Sequence, residues 1–116
     1  MSDQPRVWAE AETDMLLQLA SLSNEPGYYK PDHYGIRIEN LVLVEERMIA
    51  GGDMPMLGFE TLTFAPIDRM MIDLVMLTEA EREWVNAYHA KVRAIVGPQL
   101  DGETGLWLDN ACAPLS

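Results

Sequence analysis

At 116 residues the chain is long enough to bury one core and short for an enzyme built from two halves. Nineteen acidic against eight basic residues give a net charge of -11, which argues against nucleic acid, because binding phosphates draws on clustered Lys and Arg. That charge reads first as a solvated acidic surface, with cationic partners or metal as the alternative. The single cysteine, Cys112, cannot close an internal disulfide and suits a reducing compartment. The chain opens without the basic start and apolar run of a signal peptide, and no stretch approaches about 18 apolar residues, so no membrane span is expected.

Trp8, Ala11, Met15, Leu19 and Leu22 recur at three- and four-residue steps, which predicts an amphipathic helix over Arg6 to Ala20. From Asn24 to His33, two prolines, a glycine and polar residues predict an extended or turning approach. Two strand-like runs follow, each rich in β-branched or aromatic residues and bounded by Gly or Pro: Gly35 to Val44, which contains Glu39, and Gly58 to Ala65, which contains Glu60. Gly51 and Gly52 between them predict a reversal and antiparallel pairing. The register expected is Glu39 opposite Glu60 and Val44 opposite Pro55. Directly opposed side chains have Cβ atoms roughly 4.5 to 5.5 Å apart, so two carboxylates there call for a cation between them. Divalent metals on carboxylate oxygens are the usual answer. Arg37 shares the face of Glu39 at the two-residue period, so an ion pair to Glu39 or Glu60 is the competing arrangement.

Ile67 to Leu77 reads as a connector whose apolar residues lie against the sheet. Thr78 and Glu81 form a capping box that opens a helix from Glu79 to Val96, with Trp84, Tyr88, Val92 and Ile95 on one stripe and Gly97-Pro98 as its stop, the glycine serving as a left-handed cap. Glu103 to Ala111 predicts a last short helix. His33 is expected at the surface of a turn and His89 as a packing or capping residue. Tyr28 and Tyr29 could line a substrate pocket but fit packing of the turn better, and Trp84 and Trp107 are expected in the core.

Ser23-Asn24-Glu25-Pro26-Gly27-Tyr28-Tyr29-Lys30-Pro31, followed by Tyr34-Gly35-Ile36-Arg37-Ile38-Glu39-Asn40, resembles a segment of the Xaa-Pro aminopeptidases (aminopeptidase P) that carries a metal-binding glutamate. Phe59-Glu60-Thr61-Leu62-Thr63 with Ala65-Pro66-Ile67-Asp68 resembles a second such segment. The likeness continues through Leu77-Thr78, Trp84, Asn86-Ala87-Tyr88-His89 and Gly102-Glu103-Thr104 to Trp107-Leu108, the C-terminal extension of the larger members. The resemblance implies an α+β, pita-bread fold, an antiparallel sheet with helices on one face, around a dinuclear site that usually holds Mn²⁺. It further implies release of the residue before an N-terminal proline. Of five implied ligands, two aspartates and a histidine have no counterpart here, while Glu39 and Glu60 match the two glutamates.

The implied organisation is a diverged or unrelated leader over residues 1–22, a metal-ligand hairpin segment over 23–66 and the extension over 67–116. Three functions follow as expectations. The first is a C-terminal part of a cytoplasmic Xaa-Pro aminopeptidase, inactive alone, whose complete form acts on peptides with proline in second position. The second is a non-catalytic interaction module, and the third is one subunit of a split metallopeptidase. A homodimer or a partner chain is expected to cover the open apolar face.

Overall fold

The computed structural model describes residues 21–48, 50–52 and 56–116, so the helix expected over Arg6 to Ala20 lies outside the described residues. The chain divides into two compact units, Met1–Thr63 and Phe64–Ser116.

The first unit is built from one long hairpin with a strand added at its side. β1 (Ser21–Asn24) pairs antiparallel with β4 (Asn40–Arg47), and β2 (Gly27–Lys30) with β3 (Tyr34–Arg37). Both ladders keep the same register: Ser21 faces Leu43, Asn24 faces Asn40, Gly27 faces Arg37 and Lys30 faces Tyr34. No residue is inserted or skipped where β1 passes into β2. The pairing breaks there because Pro26 has no N–H to donate, but Ile38 N–H still reaches the Pro26 carbonyl at 3.1 Å. At the tip, His33 N–H donates to the Lys30 carbonyl at 3.1 Å and Asp32 takes φ 59. Pro31 sets the first central position of this turn, and aspartate is among the few side chains that tolerate a left-handed second one. The expected approach over Asn24 to His33 is therefore half of a regular hairpin.

β5 (Met56–Thr61) pairs with the other side of β4, giving a three-stranded sheet in the order β1-β4-β5. Its register corrects the expectation: Glu60 faces Leu43, and Val44 faces Phe59 rather than Pro55. The shift of four residues along β5 brings Val44, Leu57, Phe59 and Leu22 together as a small core. Under the expected pairing Phe59 would face the polar Asn40 instead. Arg47 fixes the register from the opposite face. Its guanidinium donates to the Phe59 carbonyl at 2.7 Å and pairs with Glu45 at 3.1 Å. To get there it crosses Gly58, where an added Cβ would stand 2.4 Å from Arg47 Cδ and Nε.

The second unit packs around α1 (Glu79–Val96). Thr78 accepts from Glu81 N–H and Glu81 accepts from Thr78 N–H, so the capping box forms as expected. The buried side of α1 carries Val85, Tyr88, His89 and Val92. Tyr88 and Val92 join Leu108 and Cys112 in the core, with Phe64, Ile67, Trp84, Val96 and Leu100 packed around them. Trp84 stacks on Tyr88 with ring centroids 5.3 Å apart. Leu108 comes from α2 (Gly102–Ala111), whose first turn is capped by the Asp101 carboxylate accepting from Thr104 N–H at 2.9 Å. Asn86 holds the Leu115 backbone by both its N–H and its carbonyl.

Four expectations are corrected here. Gly97 takes φ -50, so α1 runs on into a short 3₁₀ turn over Gly97–Gln99 instead of ending in a left-handed cap. Ile95 is exposed, because the buried stripe passes through His89 and Val92 one position round the helix. Trp107 is 60% exposed, since Leu108 takes the inward position of α2. The connector packs only in part, Ile67 lying against the core of the second unit while Met70 is 88% and Val75 94% exposed. Its turns are set by the Asp68 and Asp73 carboxylates, which accept from Met70 N–H and Val75 N–H.

Candidate metal centre

Glu39 lies in the two-residue link between β3 and β4, exposed, and Glu60 lies exposed within β5. Side chains alternate along a strand and directly paired residues share a face. Leu43 and Leu41 therefore share a face with Glu60, and the unbroken hairpin register carries that face on to Glu39. The same-face expectation holds in the register, whereas direct opposition does not. Glu39 stands four residues beyond Leu43, the partner of Glu60, which at about 3.4 Å per residue is roughly 13 Å along the strand.

The residue opposite Glu39 is Glu25. It occupies the one rung between Asn24 opposite Asn40 and the Ile38 to Pro26 hydrogen bond. Ile38 and Pro26 form a hydrogen-bonded pair, so alternation makes Glu25 and Glu39 a non-hydrogen-bonded pair, the class in which side chains approach most closely. Glu25 also accepts from the Ser23 hydroxyl at 3.4 Å. Its place was readable in principle: Glu25 and Glu39 are equidistant from Asp32 at the turn, and Pro31-Asp32 flanked by Tyr28-Tyr29 and Tyr34 to Ile38 is a hairpin signal.

Beside Glu39 an open depression of about 330 Å³ is lined by Tyr29, Gly35, Ile36, Arg37 and Glu39. The Tyr29 ring lies over Gly35, where an added Cβ would stand 2.7 Å from its Cδ1. Tyr29 thus lines a pocket, while Tyr28 packs near Tyr34 on the other side of the hairpin, with centroids 6.0 Å apart. Among the described residues Arg37 makes no ion pair with Glu39 or Glu60, and no three His, Cys, Asp or Glu side chains converge as a metal site.

The two histidines stand apart from this face. His33 is exposed at the turn, with Nδ1 2.9 Å from the Pro31 carbonyl. His89 is fully buried in the second unit, and its Nε2 accepts from Ile67 N–H at 2.9 Å. Burial, followed by the nearby Arg69 guanidinium, holds its pKa below the ordinary imidazole value. Burial likewise pushes the Cys112 thiol up, away from nucleophilic reactivity.

The chain resembles known proteins over most of its length. Residues 55–115 match the family model described as the C-terminal region of peptidase M24. A probable Xaa-Pro aminopeptidase P of Arthroderma benhamiae is 47% identical over 98 residues, 81% of this chain and 14% of that protein. One of Fusarium vanettenii is 56% identical over 96 residues, 79% of this chain and 16% of that protein. Aminopeptidase P2 of Arabidopsis thaliana is 46% identical over 98 residues, 82% of this chain and 14% of that protein. Among solved structures, the X-prolyl aminopeptidase of Caenorhabditis elegans, described as a cytosolic enzyme with a di-nuclear active site, superposes with a TM-score of 0.74 at 37% identity. That match covers 82% of this chain and 16% of the worm enzyme. The chain thus spans about one seventh of the relatives it matches. Its fold is the α+β, C-terminal part of the pita-bread architecture. With 61 of its 116 residues inside that family model, the chain belongs to the family of the C-terminal region of peptidase M24.

Proposed function

We propose that this chain supplies the carboxylate face of a dinuclear metal site in an Xaa-Pro aminopeptidase-like metallopeptidase. The observation that carries this reading is the rung on which Glu25 and Glu39 oppose each other, within a segment closely similar to aminopeptidase P sequences. Glu39 and Glu60 are the proposed metal ligands, and Glu25 joins them as the direct partner of Glu39. Their acceptor-only oxygens suit hard divalent ions such as Mn²⁺ or Mg²⁺. The donor set is incomplete, so the remaining ligands are proposed to come from another part of the catalytic unit. A bound pair of metals would supply an activated water for attack on the bond before proline. This chain's own contribution is to hold carboxylates at fixed spacing, with Arg37 and Tyr29 bordering the adjoining depression.

We further propose that the catalytic unit acts in the cytoplasm on peptides with proline in second position, and that this chain by itself is inactive. The organisation into a leader over 1–22, a ligand hairpin over 23–66 and an extension over 67–116 goes with that reading. A second reading, an interaction module or one subunit of a split enzyme, is favoured by the outward Met70, Val75 and Met76, which suit burial against a partner or a second copy. The test is hydrolysis of Arg-Pro-Pro by the purified chain with added Mn²⁺. No turnover is expected, whereas robust release of the first residue, free of host peptidase, would overturn the claim of inactivity.

A further inference from the structure

The connector over Ile67 to Leu77 divides its apolar residues into two sets. Ile67, Ile72 and Leu77 are half-buried and anchor it. Met70, Met71, Val75 and Met76 are left 88%, 65%, 94% and 80% exposed. Large apolar side chains scattered singly over a surface need no explanation, but four within one short connector form a patch. Fixed turns display them: the Asp68 carboxylate accepts from Met70 N–H at 2.9 Å and the Asp73 carboxylate from Val75 N–H at 3.1 Å. Each carboxylate thereby stands beside one of the two most exposed residues of the patch. The surrounding charge is one-sided. Residues 68–83 carry five carboxylates against two guanidiniums. Both guanidiniums are turned onto the chain's own backbone, Arg69 donating to the Asn110 and Ala113 carbonyls at 2.9 and 3.2 Å and Arg82 to the Leu74 carbonyl at 3.4 Å.

We propose that this face docks a basic, apolar helical segment of a partner polypeptide, its hydrophobic side chains against Met70, Met71, Val75 and Met76 and its Lys or Arg against Asp68 and Asp73. The proposal deepens the reading of the chain as an interaction module or subunit and rests on it. Methionine side chains are unbranched and polarisable, so they re-pack around a guest. An amphipathic helix is read through apolar anchors on one face, and charge at the rim selects the sign of the partner and its orientation. A second copy is disfavoured, because two chains of net charge -11 repel. An anionic lipid surface is disfavoured for the same reason.

The experiment is an NMR titration of the full chain with a short amphipathic helical peptide of leucine and lysine, set against one in which glutamate replaces every lysine. Amide shifts centred on residues 70–76 are expected with the lysine peptide, and binding at least about 10-fold weaker with the glutamate peptide. Met70→Ser with Met76→Ser should raise the dissociation constant of the lysine peptide about 10-fold. Asp68→Asn with Asp73→Asn should raise it about 5-fold, since asparagine keeps the oxygen that holds each turn and loses the charge. Equal binding of both peptides at residues 70–76 overturns the selection for a basic partner and leaves the module reading standing. Lysine-peptide shifts centred on other carboxylates, and unchanged in the methionine variant, overturn the proposal. Shifts at residues 70–76 on concentrating the chain alone assign the face to a second copy and overturn it too. No shift there with either peptide overturns the proposal and the module reading together. The two-peptide comparison uses the wild-type chain, so it decides the matter even where a variant misfolds.

Discussion

Glu25 and Glu39 face each other across one rung of a hairpin whose register runs unbroken from Ser21 opposite Leu43 to Lys30 opposite Tyr34. Two carboxylates so placed repel, and nothing among the described residues neutralises them as an ion pair. Like charges directly opposite on neighbouring strands destabilise a sheet. Glu25→Gln and Glu39→Gln should each stabilise the metal-free chain by about 0.2 to 1 kcal/mol, the range of cross-strand pair effects. Urea unfolding at low ionic strength measures this, and the gain should shrink as salt screens the pair.

The β4–β5 register is expected to depend on the empty space at Gly58. Gly58→Ala puts a Cβ where Arg47 crosses the sheet and should destabilise the first unit by about 1 to 3 kcal/mol, as overpacking commonly does. Adding Arg47→Ser should recover part of that loss. A fully additive double variant would show that the two residues do not meet.

The buried position of α2 is Leu108, and Trp107 beside it is exposed. Leu108→Ala should cost about 2 to 5 kcal/mol, whereas Trp107→Ala should stay within about 0.5 kcal/mol of wild type. Thermal unfolding of the two variants side by side separates them.

His89 makes the second unit sensitive to acid. Its folded-state pKa lies below the ordinary 6.5, so under acidic conditions the unfolded chain binds the extra proton more readily than the folded one. The His89 contribution to stability is therefore fully present above pH 6.5 and is lost as pH falls below it. Protonation would also place an N–H against Ile67 N–H, where Nε2 now accepts. The protection factor of the Ile67 amide, its exchange rate relative to the unfolded rate at the same pH, should fall below pH 6.5 in wild type, and His89→Gln should flatten that dependence.

Local signals in this sequence were readable, and distant pairings were readable only in part. Thr78 and Glu81 announce the start of α1 because both halves of the capping box lie within one helical turn. Glu39 and Glu60 were readable as residues of one face, since alternation survives any even shift of register. The expected single strand Gly35 to Val44 is broken at Ile38 and Glu39, however, so Glu39 falls in the link between β3 and β4. The separation of the two glutamates was not readable, because the four-residue shift comes from Arg47 crossing Gly58 and from Val44 meeting Phe59, contacts that no single segment encodes. Glu25 was passed over because Pro26 and Pro31 read as breakers. One interrupts the ladder without displacing it, and the other shapes the hairpin turn. Trp107 misled by size: an amphipathic helix as short as α2 leaves the choice between Trp107 and Leu108 to packing against Tyr88, Val92 and Cys112.

The most direct test of the carboxylate face is a residue-by-residue map of Mn²⁺-induced broadening, compared between wild type and the Glu25→Gln, Glu39→Gln double variant. The account predicts the strongest broadening at Glu25 and Glu39, weaker broadening at Glu60 further along the same face, and loss of the Glu25 and Glu39 signal in the double variant. Broadening centred elsewhere, for example on Glu79, Glu81 and Glu83 at the start of α1, and unchanged in the double variant, would contradict it.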